Sequence, residues 1–240
     1  MTSDEDWKTA NDMGTGQNTR KALPPQLVVC GTDTDVGKTV VSALLVQGLG
    51  AHYWKPVQSG IEHGGDSGWI QALLGLPAER ICPESYRLSN PVSPHWAAEL
   101  DGRRIERERL ALPKVAGPLV VETAGGLLVP LRRDWLQIEQ LAQWQLPVVL
   151  VARSGLGTLN HTLLSVEALR HRNIPLLGLV LNGPPHPDNP RTLTELSGAP
   201  VLAQLPPLDP LDGQALERQW QSQGLAHTLA TALKAIANSL

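Results

Sequence analysis

The segment QLVVCGTDTDVGKTVVSALLVQGL, residues 26–49, constrains this chain more than any other. Its first six residues are a short β-branched run, and Val40, Ala43, Leu44 and Gln47 then recur at helical spacing, so the segment reads as strand, loop and helix. Gly37, Lys38 and Thr39 open that helix, which is the setting that gives a G-x-x-x-x-G-K-[ST] match its meaning. The position of the first glycine holds Thr32 instead. Backbone N–H groups and the helix dipole at such a start favour phosphate. Lys38 is predicted to reach the β- and γ-phosphates of a nucleotide, and the Thr39 hydroxyl to sit on Mg2+. A strand-to-helix turn with a merely solvated lysine is the plainer alternative.

The same grammar runs down the chain. HYWKPV reads as a second strand stopped by Pro56, GPLVVETAGG as a buried strand ending in a glycine turn, and LPVVLVARSGLGTLNHTLLSVEALRHRN as strand, loop and helix. IPLLGLVLNG and APVLAQLP follow as strands, with a last helix around AHTLATALKAIANSL. Apolar strands without alternation, separated by helices, predict an α/β fold: a mostly parallel sheet flanked by helices on both faces, of the P-loop NTPase kind. Ligands of such sheets collect at the carboxyl ends of the strands. The strand-end motifs DTDVGKT, KPVQSG, ETAGG, SGLGTLNH, LNG and LPPL are therefore expected to meet in one crevice. The insert from Cys82 to Val115 has weaker periodicity and is expected to form helices and loops outside the sheet.

At 240 residues with net charge −3 and no long basic run, the chain suggests a small-molecule partner, not nucleic acid or a membrane surface. Cys30 and Cys82 form no metal-binding spacing and read as reduced thiols of a cytoplasmic protein. Residues 1–25 are polar and lack the apolar core of a secretory signal, so they read as a flexible extension ahead of one domain over 26–240. No stretch approaches the ~18 apolar residues of a membrane span.

Lys55 supplies a second lysine at a strand end, with Ser59 four residues on in a glycine turn. Each alone is ordinary; together they could clamp a second anion beside the γ-phosphate, as phosphoryl transfer needs. Mg2+ takes one or two protein carboxylates besides phosphates. Glu122, at the end of PLVVE, is one candidate, and its burial there calls for a cation. Asp66 in GGDSGW is the other, although on its own it reads first as a helix N-cap. Asp33 and Asp35 place negative charge beside phosphates and call for solvent-facing or otherwise partnered side chains. His95 and His161 lie near the motifs but take no catalytic role.

Together GTDTDVGKT, YWKPVQSG, NPVSPH, E-x-AGG, LGTLNH and LPPL resemble, in order, the dethiobiotin synthetase family. The likeness runs from about Leu27 to the C-terminal helix. Family loops share the altered first position, which accounts for Thr32. The resemblance implies that 7,8-diaminononanoate, CO2 (or bicarbonate) and MgATP are converted to dethiobiotin, ADP and phosphate through a carbamate and a carbamic-phosphoric anhydride. By position, Asp35, Val36, Gly37, Lys38, Thr39 and Val40 would line the ATP phosphates, with Lys55 and Lys38 catalytic. Thr39, Asp66 and Glu122 would surround Mg2+, and Glu122, Thr123, Ala124 and Gly125 would lie along the nucleotide. Asn182, Gly183, Pro206, Pro207 and Leu208 match adenine-side segments. Ser59 would touch the substrate, and Gly157, Thr158, Leu159 and Asn160, at a helix start of the partner in a homodimer, would hold its carboxylate.

Three departures stand out. Thr123 replaces a usual glycine and is expected to crowd the backbone beside the nucleotide; Gly213 replaces an acidic contact that Asp212 could supply; and the span from Lys55 to Asp66 is short. A partition- or site-selection-type switch ATPase would carry an extra early lysine, where this loop has Thr32 and Asp33. A glutamine-dependent amidoligase would need a glutaminase domain for which the chain is too short.

Overall fold

A computed structural model describes residues 25–61 and 64–238. The extension expected over residues 1–25 lies outside the described residues, except Pro25, whose carbonyl accepts a hydrogen bond from the Leu119 N–H at 3.0 Å. In chain order the elements are β1 (Gln26–Gly31), α1 (Lys38–Gly48), β2 (His52–Trp54), β3 (Val57–Ser59), α2 (Gly65–Leu74), β4 (Ile81–Cys82), β5 (Tyr86–Leu88) and α3 (Pro94–Leu100). There follow β6 (Leu119–Gly126), β7 (Pro130–Arg132), β8 (Trp135–Leu136), α4 (Gln137–Trp144), β9 (Val148–Arg153) and α5 (Thr158–His171). The chain closes with β10 (Leu176–Asn182), α6 (Asn189–Ser197), β11 (Val201–Leu205), α7 (Gly213–Ser222) and α8 (Leu225–Ala237).

Seven strands form one sheet in the order β11-β10-β9-β1-β6-β2-β4, and every pair in it is parallel. The strand interiors are apolar on both faces because both are covered. On one face α1, α2, α7 and α8 bury Leu44, Ile70, Leu216 and Leu229 against Leu27, Val29 and Tyr53. On the other, α4, α5 and α6 bury Ile138, Leu169 and Leu193 against Val28, Val121 and Leu150. A satellite cluster of Val57, Tyr86, Leu88, Ala97 and Trp135 lies beside the sheet.

Two sequence expectations change. HYWKPV is not one strand: β2 ends at Trp54, the chain turns at Lys55–Pro56, and β3 pairs instead with β5 in a separate two-stranded sheet. The residue after Trp54 is thereby freed from the ladder at the sheet's carboxyl edge. The insert is not wholly outside the sheet either, because Cys82 lies in β4, the edge strand beside β2. Two-residue β4 is too short for period-based reading.

Packing between α1 and α7 offers a stability test. A Cβ on Gly48 would lie 2.2 Å from the Trp220 ring, and Trp220 is buried. Gly48→Ala is expected to destabilise by roughly 1–3 kcal/mol through overpacking, partly offset by a helix-propensity gain of at most about 1 kcal/mol. Thermal unfolding should drop by about 2–4 °C for each net kcal/mol in a chain of this size. An unchanged melting temperature would show that Trp220 swings clear at no cost.

Candidate active site

The nucleotide loop is built around glycines that the backbone needs. A Cβ at Gly31 would lie 2.7 Å from the Asp33 carbonyl oxygen and 2.9 Å from Val36 Cγ2, so close packing falls one position before Thr32. Asp35 takes a left-handed conformation at φ 55°, and Gly37 does so at φ 92°. Gly37 is also pressed by Asn182, whose Nδ2 would sit 2.0 Å from a Cβ there and donates to the Val36 carbonyl at 3.1 Å. The end of the loop is thus held from β10 by one side-chain amide. Helix α1 starts at Lys38 with no acidic residue in its first turn, leaving its first N–H groups and positive dipole end open to an anion.

Lys38 is buried, and its Nζ donates to the Asp33 carbonyl at 2.9 Å. Burial pulls its pKa below the ordinary lysine value, against the raising influence of Glu122 and with the help of the nearby Lys55 charge. The acidic loop residues find the partners their charge demands: Asp33 accepts from the Thr34 N–H at 2.7 Å and pairs with Arg153 at 3.4 Å, while Asp35 faces solvent.

Sheet register brings the second lysine to the carboxylates. Trp54 pairs with Val121, so Lys55 and Glu122, each the next residue, meet at the same edge. Lys55 Nζ lies 3.1 Å from Glu122 Oε1 and also pairs with Asp66 Oδ2. Glu122 is fully buried and shares three donors, taking 2.9 Å from Thr39 Oγ1 and 3.0 Å from the Tyr53 hydroxyl besides Lys55. Burial alone would lower the Lys55 pKa, but the charges of Glu122 and Asp66 and their hydrogen bonds outweigh it and raise the value above that of a free lysine. Lys55 thus has its ammonium form favoured by the two carboxylates. Burial and Glu122 together push the Tyr53 hydroxyl well up, keeping it a neutral donor.

Asp66 is not the N-cap that its sequence setting suggests: Gly64 caps α2, and Asp66 stands inside the first turn, with its carboxylate on Lys55. The structure thus brings Thr39, Lys55, Asp66 and Glu122 into direct contact. Glu122 is not the end of its strand, since β6 continues to Gly126, but register with β1 slips after it, from Val29 opposite Glu122 to Gly31 opposite Gly126. The Thr123 side chain is turned onto β1. It is buried, with its hydroxyl donating to the Val29 carbonyl at 3.3 Å and 3.1 Å from the Cys30 sulfur. The Cys30 thiol, pushed up to about 11 mainly by burial, is chemically quiet.

Ser59 Oγ is buried and has no hydrogen-bond partner among the described residues. Gly157 caps α5 at φ 89°, with Thr158, Leu159 and Asn160 forming its first turn beyond the end of β9. Strand order separates β9 from β2 by three sheet spacings, roughly 14 Å at 4.8 Å each, so this helix start is not in the Lys55 cluster. Gly183 and Pro206, Pro207 and Leu208 follow β10 and β11 at the same sheet edge, where Gly183 N–H donates to the Leu205 carbonyl at 2.9 Å. Asp212 caps α7 through the Ala215 N–H at 2.7 Å, which commits one of its oxygens.

Of the buried glutamines, none singled out by sequence, Gln58 and Gln137 bond to site segments. Gln58 accepts from the Asp66 N–H at 3.1 Å and donates to the Gly60 carbonyl at 2.9 Å, and Gln137 makes a similar pair of bonds around the turn after Glu122. Gln58 had a local signal in its place between Lys55 and Ser59. Gln137 had none, because the turn it reaches is over ten residues away.

Residues 25–215 match a family model described as an AAA domain. The chain is 52% identical over 200 residues to the ATP-dependent dethiobiotin synthetase BioD of Rhodopseudomonas palustris strain BisB18, covering 83% of this chain and 96% of the relative. It is 50% identical to the enzyme of the same name from Brucella anthropi, over 81% of this chain and 92% of that one. Among solved structures, a cell-division ATPase MinD of Pyrococcus furiosus aligns at TM-score 0.55 and 16% identity, over 88% of this chain and 99% of that one. A ParA family ATPase of Chlorobium tepidum aligns at TM-score 0.53 and 14% identity, over 88% and 98%. At that identity the two ATPases share only the fold. The extent and level of identity to the synthetases, together with the loop and the Lys55 cluster, place this chain in the dethiobiotin synthetase family.

Proposed function

We propose that this chain, as one ligase domain over residues 26–240, carboxylates and cyclises 7,8-diaminononanoate with CO2 at the expense of ATP, giving dethiobiotin, ADP and phosphate for biotin biosynthesis. The observation that carries the reading is the buried Lys55 ammonium beside the nucleotide loop. A simple nucleotide switch has no need of it.

The oxygen set of Thr39, Asp66 and Glu122 fits Mg2+. No group of three or more His, Cys, Asp or Glu side chains capable of holding a metal occurs among the described residues, so an ion here depends on nucleotide phosphates to complete its shell, as Mg2+ usually does. Thr39, Asp66 and Glu122 would hold the ion, which would supply charge neutralisation at the phosphates. Asp35 to Val40 line the phosphates, and Lys38 leaves the Asp33 carbonyl to reach them. Thr123 to Gly125 run along the nucleotide, and Asn182, Gly183 and Pro206 to Leu208 face its base.

In the first step one substrate amine adds to CO2 and loses a proton, giving a carbamate. A carbamate oxygen then attacks the γ-phosphorus, ADP leaves, and a mixed anhydride remains. Finally the second amine attacks the carbonyl carbon, phosphate leaves, and the ureido ring closes with loss of a proton. Lys55 holds the two anions of the second step together, and the unpartnered Ser59 hydroxyl orients the substrate. The substrate's distant carboxylate is held by Gly157 to Asn160 of a second copy, which is why the functional unit is a homodimer. The separation between that helix start and Lys55 within one chain supports the second copy.

Purified protein with diaminononanoate, bicarbonate and MgATP is expected to form dethiobiotin, one ADP per product, and to sediment as a dimer at assay concentration. ATP hydrolysis indifferent to the diamine would overturn the reaction, and an active monomer would overturn the shared site. No helix of the described residues is long and apolar enough to cross a membrane; with a small-molecule reaction, the cytoplasm is the proposed location.

A further inference from the structure

Resting on that reading, we propose that Gln137 is a positioning residue for the reaction: its buried side-chain amide clamps the Thr123–Gly126 turn and sets where that turn meets the nucleotide. The turn needs such a clamp. Between Val29 opposite Glu122 and Gly31 opposite Gly126, β6 carries three residues where β1 carries one, so Thr123, Ala124 and Gly125 bulge out of the ladder. Gly125 turns left-handed there, at φ 57°. Backbone groups released by a bulge must find other partners when buried.

Gln137 supplies two of them. Its Oε1 accepts from the Ala124 N–H at 3.0 Å and its Nε2 donates to the Gly126 carbonyl at 2.8 Å, a donor and an acceptor two residues apart met by one amide. The side chain is 4% exposed, so water does not substitute for it. Gln137 is itself fixed as the first residue of α4, with its own N–H on the Val129 carbonyl at 2.9 Å and the helix start closed by the Leu136 N–H on Glu139 at 3.1 Å. Thr123 anchors the other end of the bulge on Val29. The turn is thus tied at both ends, and the Gln137 end is the one that fixes the Ala124–Gly126 backbone.

Reacting groups held a fraction of an ångström out of place lose rate steeply. Gln137→Met keeps length and burial and removes both bonds. It is expected to lower kcat and weaken ADP binding by about tenfold each, leaving the KM for the diamine unchanged. Gln140, one helical turn on and 2% exposed, has an Oε1 without a partner among the described residues, so Gln140→Met serves as the control and should leave kcat and ADP affinity intact. ADP affinity is read by titration without diamine, so it tests the clamp even if the wild-type protein makes no dethiobiotin, a result that would sink the reaction instead. If the Met variant does not fold, Gln137→Glu replaces it: it retains an acceptor for Ala124 but turns a carboxylate on the Gly126 carbonyl, and ADP should again bind more weakly. A folded variant that matches wild type in kcat and ADP affinity overturns the proposal. So does an equal loss in Gln140→Met, or failure of both Gln137 variants to fold, which would make the residue purely structural.

Discussion

Lys38→Ala should cut dethiobiotin formation by about 10³-fold or more, since phosphoryl transfer depends on charge placed at the phosphates, and one such group is worth 10³–10⁵ in related transfers. The fold should survive, because Lys38 contributes one hydrogen bond, to the Asp33 carbonyl at 2.9 Å, and α1 is held by the apolar packing of Val41, Leu44 and Leu45. Asp33 is exposed, so water can take over its carbonyl and losing that bond costs only about 0.5–1.5 kcal/mol. Circular dichroism and thermal unfolding should therefore report a folded protein with a modestly lower melting temperature. Thr39→Val, which removes the hydroxyl on Glu122 without changing shape, should lose activity through the metal and phosphate side of the same site. Near-normal turnover in both variants would remove the phosphate-loop assignment.

Why these residues could be named from sequence, while others could not, follows from how each is positioned. Lys38 and Thr39 belong to a local device: a strand, a glycine loop and a helix start are contiguous, and the phosphate site is written in one segment. Lys55 and Glu122 are distant in sequence, but a parallel sheet collects strand ends, and the pairing of Trp54 with Val121 delivers them side by side. Asp66 was ambiguous because a carboxylate after two glycines suits a cap as well as a ligand. Its contact with Lys55, together with Gly64 as the cap, rules out the capping role. The orientation of Thr123 was out of reach, since it depends on a register slip that no spacing rule foresees. So did the break between β2 and β3, where a proline that reads as the end of a strand also redirects the chain into a second sheet.

Lys55→Gln separates ligation from nucleotide binding. In this structure the ammonium lies between Asp66 and Glu122 and is 6% exposed, with its pKa raised by those two charges against the pull of burial. A lysine whose charge is reinforced in this way is a poor base and a good counter-ion. During reaction it faces a carbamate approaching a γ-phosphate, and repulsion between such anions is severe where water is scarce. Glutamine keeps the reach and a donor but not the charge, so the loss should fall on the transition state: a decrease in kcat of about 10²–10³, or roughly 3–4 kcal/mol. The substitution also leaves Glu122 and Asp66 facing one another without their cation. Breaking a buried pair from one side costs about 3–5 kcal/mol, so the unliganded variant should melt earlier, and a given concentration of ADP should stabilise it by the same amount as wild type. ADP affinity itself should change little, being held by Lys38 and the loop amides. Dethiobiotin formation at the wild-type rate by the Lys55→Gln protein would show that the charge between the two carboxylates plays no part in the chemistry, and a large loss of ADP affinity with unchanged kcat would move Lys55 from the reacting groups to the nucleotide.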